Sequence, residues 1–201
     1  MLENVVTFAS AIGFILKVYS WVHIAAFIAS WINADPNNSI VSTVNRVTLP
    51  MWNWVAFRLP RNLTAFAPIF ALMLVIFAEI AIPGIIRSIG AIMTSSIEMG
   101  GGLQNIVYYI LYGGLYIVSN IVGFVFFLAI IWFVFTLVNP PLNNPIIRSI
   151  MYLIDPLITP LQRFLPRSRV DLSPLVLAGI AFLCREVLFR IMAPIQAGLL
   201  I

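Results

Sequence analysis

The sequence predicts an all-α integral membrane protein with four transmembrane helices, built by tandem duplication of a span–loop–span unit with interfacial helical loops. Three observations carry this. First, 62% of the 201 residues are hydrophobic and only 9% are charged, against about 25% charged in a soluble domain; mean hydropathy is +1.05. So few charges cannot cover a water-facing surface, so soluble enzymes, disulfide scaffolds and disordered tails are excluded. Second, four apolar stretches are long enough to cross a bilayer, which takes about 20 residues. Third, the chain matches itself at a shift of 106 positions.

The spans are Val5–Ile32, Pro68–Ile86, Ile106–Val138 and Pro174–Pro194. The N-terminal MLENVV carries Glu3 and no Lys or Arg, and the apolar run after it is too long for a signal h-region, so it reads as a first span. The third stretch exceeds a perpendicular crossing, and its Tyr108, Tyr109, Tyr112 and Tyr116 suit an interface. Between the second and third spans lies RSIGAIMTSSIEMGGGLQN, small, polar and glycine-rich, which reads as a linker. The organisation is therefore a first repeat over 1–86, a linker over 87–105 and a second repeat over 106–201. Arg46, Arg58 and Arg61 occupy the first long loop, and Arg148, Arg163, Arg167 and Arg169 the second, against Arg87 in the linker. Positive loops stay in the cytoplasm. Both long loops are expected there, with both termini and the linker on the outer side. Cys184, the one cysteine, can form no intrachain disulfide and says nothing of redox compartment.

At the shift of 106, Asn33 meets Asn139, Asn37 meets Asn143, Asn38 meets Asn144 and Ile40 meets Ile146. Pro50 meets Pro156, Leu59-Pro60-Arg61 meets Leu165-Pro166-Arg167, and Pro68 meets Pro174. These are nine gapless identities, most of them Asn or Pro. Each unit crosses twice, so the copies point the same way and a pseudo-two-fold along the membrane normal relates them. Asn144-Pro145 reads as an N-cap followed by proline at the first helical position. The helix that follows carries Ile146, Ile147, Ile150, Met151, Leu153 and Ile154 on one side. Asp155-Pro156 reads as a restart of a second short helix that Leu165-Pro166 ends, and Ser173-Pro174 as the cap of the last span. Such loops suit the cytoplasmic interface, with arginines toward anionic lipid phosphates.

SWINADPNNSIV in the first copy and NPPLNNPIIRSIMYLIDPLITPLQRFLPRSRVDLSPLVL in the second resemble the YggT (YlmG) family of bacterial membrane proteins, whose chloroplast relatives belong to the same group. The D-P-L-x-x-P-L-x-R-x-L-P run and the D-L-S-P-L start of the last span are its specific signals. The first copy departs from the pattern: Leu49 stands in place of Asp155, and Ala65 and Ala67 in place of Asp171 and Ser173. Function tied to those side chains is thus expected in the second copy. The resemblance implies no agreed biochemical activity. Members of the family have been connected with osmotic and potassium or sodium tolerance and with cell or plastid division and nucleoid distribution. A plastid relative serves in haem attachment to a membrane cytochrome.

Lys17, Glu79, Arg185 and Glu186 all fall inside spans. Glu79 and Arg185 each lie 11 residues past the proline that opens their span, about 17 Å deep at 1.5 Å per residue. They are equivalent positions of the repeat with opposite signs. An unpaired charge at that depth costs roughly 2.5–3.5 kcal/mol, and the four sum to zero. Mutual pairing in a clasp between repeats or protomers is one reading, and a polar path for ions or protons is the other. His23 reads as a hydrogen-bonded core residue or a proton relay, and Ser119-xxx-Gly123 as a seat for a close helix contact.

No phosphate-binding glycine loop is present, and one His with one Cys supplies neither a metal nor a haem site, so no cofactor is expected. No catalytic set is visible, and the basic loops lack the lysines and interleaved aromatics of nucleic-acid binders. The expected role is non-enzymatic: membrane assembly or scaffolding through the two loops, with the lipid bilayer, other membrane proteins or a second copy as partners. A small transporter or channel component in ion homeostasis is the alternative.

Overall fold

The structure, a computed structural model, describes residues 1–32, 34–141, 143–165 and 171–199, apart from the side chains at 31, 62, 65, 145, 146 and 149. Among these the elements are helical throughout: α1 (Leu2–Trp31), α2 (Ser39–Arg58), a 3₁₀ turn (Arg61–Phe66), α3 (Ala67–Met93), α4 (Met99–Val138), α5 (Pro145–Gln162) and α6 (Ser173–Ala197). Three of them, α1, α3 and α4, are long and apolar enough to cross a membrane. α6 has the length, at 25 residues, but Arg185, Glu186 and Arg190 interrupt its apolar character.

The chain divides into two compact units. The first contains residues 1–117 and 192–201, the second residues 118–191. In the first unit α1 packs along α3, and α2 packs against both. Val55 of α2 and Ala67 and Ala71 of α3 make a small core, closed by Met51, Trp52 and Leu59. Small residues bring α3 and α4 close: any side chain at Gly84 would run into the Tyr109 ring. In the second unit the α5 stripe Ile147, Ile150, Ile154 and Ile158 is buried, and Phe126 of α4 meets Phe182 of α6 with centroids 6.5 Å apart.

Helix boundaries follow local chemistry. Asn38 caps α2, its side-chain oxygen accepting from the N–H of Ile40 at 2.9 Å and of Val41 at 3.4 Å. The Asp35 carboxylate supports the same turn by accepting from Asn37 N–H at 2.9 Å. In the second loop the backbone repeats this grammar. Asn38 N–H donates to Asp35 O and Ser42 N–H to Asn38 O, while Asn144 N–H donates to Pro141 O and Arg148 N–H to Asn144 O. The starts of α2 and α5 lie 106 positions apart, as do those of α3 and α6. Asn139 ends α4 with φ 50°, its N–H returning to Phe135 O at 2.9 Å; asparagine tolerates this left-handed conformation better than most residues.

Two expectations about local structure are corrected. Asp155-Pro156 does not restart a helix: α5 runs unbroken from Pro145 to Gln162 with Pro156 and Pro160 inside it. The buried isoleucines keep their i, i+3, i+4 spacing through the prolines, and packing that stripe outweighs the lost backbone bonds. Pro50 likewise lies inside α2. Of the glycine-rich segment 87–105, only 94–98 lies outside helices. The turn there has Ser95 at φ 52°, with Ser96 N–H reaching Ala91 O and Ser95 N–H reaching Ile92 O, a Schellman closure made without glycine.

Candidate functional site

The chemistry-bearing residues fall in two places, the loop helices and a groove between α1 and α3. In the loops, Arg46, Arg58, Arg61, Arg148 and Arg163 are all exposed. Arg58 lies over the Trp54 ring at 3.7 Å and donates to Trp54 O at 3.0 Å. Beside these arginines stand large apolar side chains left open: Phe57 at 89%, Phe164 at 86% and Tyr152 at 69% exposure. Single aromatics standing next to arginines, a long basic stem beside a ring, suit a membrane–water boundary. Pro60, Asn37, Asn143 and Asn144 are exposed turn residues, and Pro145 opens α5. Asn33, Pro166, Arg167 and Arg169 lie outside the described residues.

Asp171 is the best-connected loop side chain. One carboxylate oxygen accepts from Ser173 N–H at 2.9 Å, and the other from Gln162 Nε2 at 2.7 Å. It thereby ties the end of α5 to the start of α6. Ser173 and Pro174 beneath it are buried. Ser173-Pro174 therefore opens α6 as expected, but Asp171, two residues earlier, supplies the cap. In the first copy Ala65 and Ala67 stand at the two positions, and α3 starts from the 3₁₀ turn with no side-chain cap.

Burial alone would raise the Asp171 carboxyl, but hydrogen bonds from Ser173 (hydroxyl and N–H) and from Gln162 outweigh it and hold the group below the usual carboxylate range. A folded value below the unfolded one, about 3.9, makes the stabilisation complete above that pH. It is lost as pH falls through the folded value. Asp171→Ala is expected to cost about 0.5–2 kcal/mol at neutral pH. The gap in thermal midpoint between wild type and variant in detergent should close as the solution is taken below about pH 4; a gap that stays constant with pH contradicts this role.

The groove is a cavity of about 330 Å³ lined from α1 by Ser10, Gly13 and Lys17 and from α3 by Glu79, Pro83 and Arg87. Glu79 accepts from the Ser20 hydroxyl at 3.2 Å, and Arg87 Nη2 donates to Ser10 Oγ at 3.0 Å. Lys17 is exposed, and Lys17 and Glu79 share the groove without an ion pair. Arg87 Nε is buried with no hydrogen-bond partner. In the second unit Arg185 lies over the Phe189 ring at 5.1 Å. A side-chain carbon at Gly123 would come within 3.6 Å of the Arg185 guanidinium, so the Ser119-xxx-Gly123 step makes room for that arginine. Glu186 pairs with Arg190 at 3.4 Å.

Ser10, Ser20 and Arg87 were not singled out by sequence reasoning as partners of the intramembrane charges. Their signal was nonetheless present: positions 10, 13, 17 and 20 share one face of a helix at spacings of three and four. His23 continues that side of α1. It is 1% exposed, and its Nδ1 lies 3.1 Å from Tyr19 O; a carbonyl only accepts, so Nδ1 carries the proton. Its ring meets Tyr19 edge-on at 4.4 Å, which places it as the hydrogen-bonded core residue.

Long apolar helices, arginines gathered in the loops and charges set in a groove between spans define a multi-pass helical membrane protein. The CCB3/YggT family model matches residues 109–192. The chain therefore carries a YggT-family domain there, a stretch taking in the final part of the tyrosine segment, α5, the Asp171 tie and most of α6. No curated protein and no solved structure matches the chain.

Proposed function

We propose that this protein is a four-span assembly or scaffold factor of the bacterial inner membrane, without catalytic activity, acting through its two arginine-bearing loops on the cytoplasmic side. The carrying observation is α5: one side is buried through Ile147, Ile150, Ile154 and Ile158, while Arg148, Tyr152 and Asp155, with Arg163 just past its end, are exposed. An anchored helix with an exposed basic and aromatic face suits anionic lipid surfaces and other membrane proteins or a second copy. The four-span reading rests on the charges of α6 finding partners within the assembly. The duplication is supported by the shared offset of helix starts and turn hydrogen bonds. The test is co-purification from native membranes of wild type and of a variant with Arg163→Ala, Arg167→Ala and Arg169→Ala. Loss of wild-type partners at unchanged protein level is expected, and an identical partner set refutes the reading.

One observation favours the alternative of a transport component for ions. Arg87–Ser10 and Glu79–Ser20 form two polar rungs along the α1–α3 contact. A conducting path needs that row to continue, so a potassium or proton flux abolished by Glu79→Gln in liposomes would favour transport over scaffolding.

A further inference from the structure

The groove between α1 and α3 holds two cations and one anion: Lys17, Arg87 and Glu79. It therefore carries one uncompensated positive charge between helices that are apolar almost everywhere else. Its donors are not used up. Among the described residues Lys17 has no hydrogen-bond or ion-pair partner, and Arg87 Nε is a buried N–H donating to nothing. A buried donor left unmade costs about 1–3 kcal/mol, more when charged, and an arginine spends its fork most effectively on a carboxylate or phosphate. The Arg87 guanidinium donates once, to Ser10 Oγ, a neutral acceptor.

Position and shape narrow the anion. Arg87 is six residues from Met93, where α3 ends, about 9 Å along the helix. That is within reach of the headgroup layer for a long basic side chain. Ser10 contacts Arg87 and Ser20 contacts Glu79, so α1 and α3 run antiparallel, and the groove extends inward from the end where α1 begins. Its outer wall is apolar and open to the hydrocarbon: Phe14 lines it at 69% exposure. A volume of about 330 Å³ lies at the small end of ligand sites, enough for a headgroup whose chains remain outside along Phe14.

We propose that this groove binds the phosphate headgroup of an anionic membrane lipid, with Arg87 and Lys17 as its donors and Glu79 limiting the site to a single negative charge. The full-length protein in nanodiscs of phosphatidylcholine, with or without phosphatidylglycerol, tests this by native mass spectrometry of retained lipid. Retention of phosphatidylglycerol is expected about tenfold above phosphatidylcholine, the ratio that one charge-assisted contact of about 1.4 kcal/mol supplies. Arg87→Gln should remove most of that preference. Glu79→Gln keeps an oxygen for Ser20 but deletes the negative charge, so it should strengthen retention, a gain that a damaged fold does not produce. Arg190→Gln, in the second unit, should change nothing. Equal retention of both lipids, an unaffected Arg87→Gln or a weakened Glu79→Gln overturns the proposal. Displacement of the lipid by millimolar inorganic phosphate assigns the site to the free ion and overturns the lipid source. A lipid-free dimer assigns the groove to a second copy and overturns the proposal as well.

Discussion

Ile154→Ala is expected to destabilise the protein by about 2–5 kcal/mol, the range for truncating a buried isoleucine. Ile154 is 1% exposed and stands at the centre of the α5 stripe, between Ile150 and Ile158. Removing its side chain leaves a void that flanking isoleucines, already packed, cannot fill. Its neighbour gives the internal control. Asp155 is exposed, and among the described residues its carboxylate accepts from the Thr159 hydroxyl alone, at 3.5 Å. Asp155→Ala should therefore stay within about 0.5 kcal/mol; as the N-cap of a separate short helix it would have cost about 1 kcal/mol. Thermal unfolding in detergent, read by intrinsic fluorescence, separates the outcomes. Comparable losses for the two variants would mean that α5 is broken at Pro156.

Gly84→Leu should disrupt the contact of α3 with α4, at about 1–3 kcal/mol or more. The side-chain carbons would occupy the place of the Tyr109 ring, and Tyr109 is only 7% exposed, so the ring has little room to retreat. Helices in lipid rely on close backbone approach, because burial from hydrocarbon into protein supplies little hydrophobic drive. Gly114, in the same helix as Tyr109, meets nothing within 4 Å, and Gly114→Leu should be silent. Adding Tyr109→Ala to Gly84→Leu should restore part of the thermal midpoint. If Gly84→Leu and Gly114→Leu behave alike, the small-residue contact is not what holds these helices together.

Much of the fold was legible because lipid imposes coarse rules. Apolar length marked α1, α3 and α4, and Asn38, the counterpart of Asn144, announced the start of α2 through a cap that needs only the residue itself and the three that follow. The second-copy loop residues that suggested the YggT family lie in the stretch that the family model matches, whereas the first-copy SWINADPNNSIV lies before it. Asp155-Pro156 misled because the local signal for a restart is real, and only the burial of Ile154 and Ile158 overrides it. The groove was legible in half. Lys17 and Glu79 stood out as charges in apolar runs, but that Ser20 would serve Glu79 and Ser10 would serve Arg87 depends on the antiparallel register of α1 against α3. Asp171 was noticed as a motif residue; its grip on Gln162, nine residues back, is tertiary and invisible to spacing.

The two prolines inside α5 have a consequence of their own. Pro156 and Pro160 offer no N–H, so the carbonyls of Tyr152 and Pro156 lose their intrahelical donors. Tyr152, Pro156 and Pro160 are all exposed and lie four residues apart on the side away from the isoleucines. The outward face of α5 thus offers a short row of bare backbone acceptors, open to water, a lysine ammonium or a guanidinium. The buried side keeps its bonds and its packing. The helix can flex by opening its wet side like a hinge while its dry side remains seated, so a visitor gripping those oxygens could bend α5 without pulling it out of place.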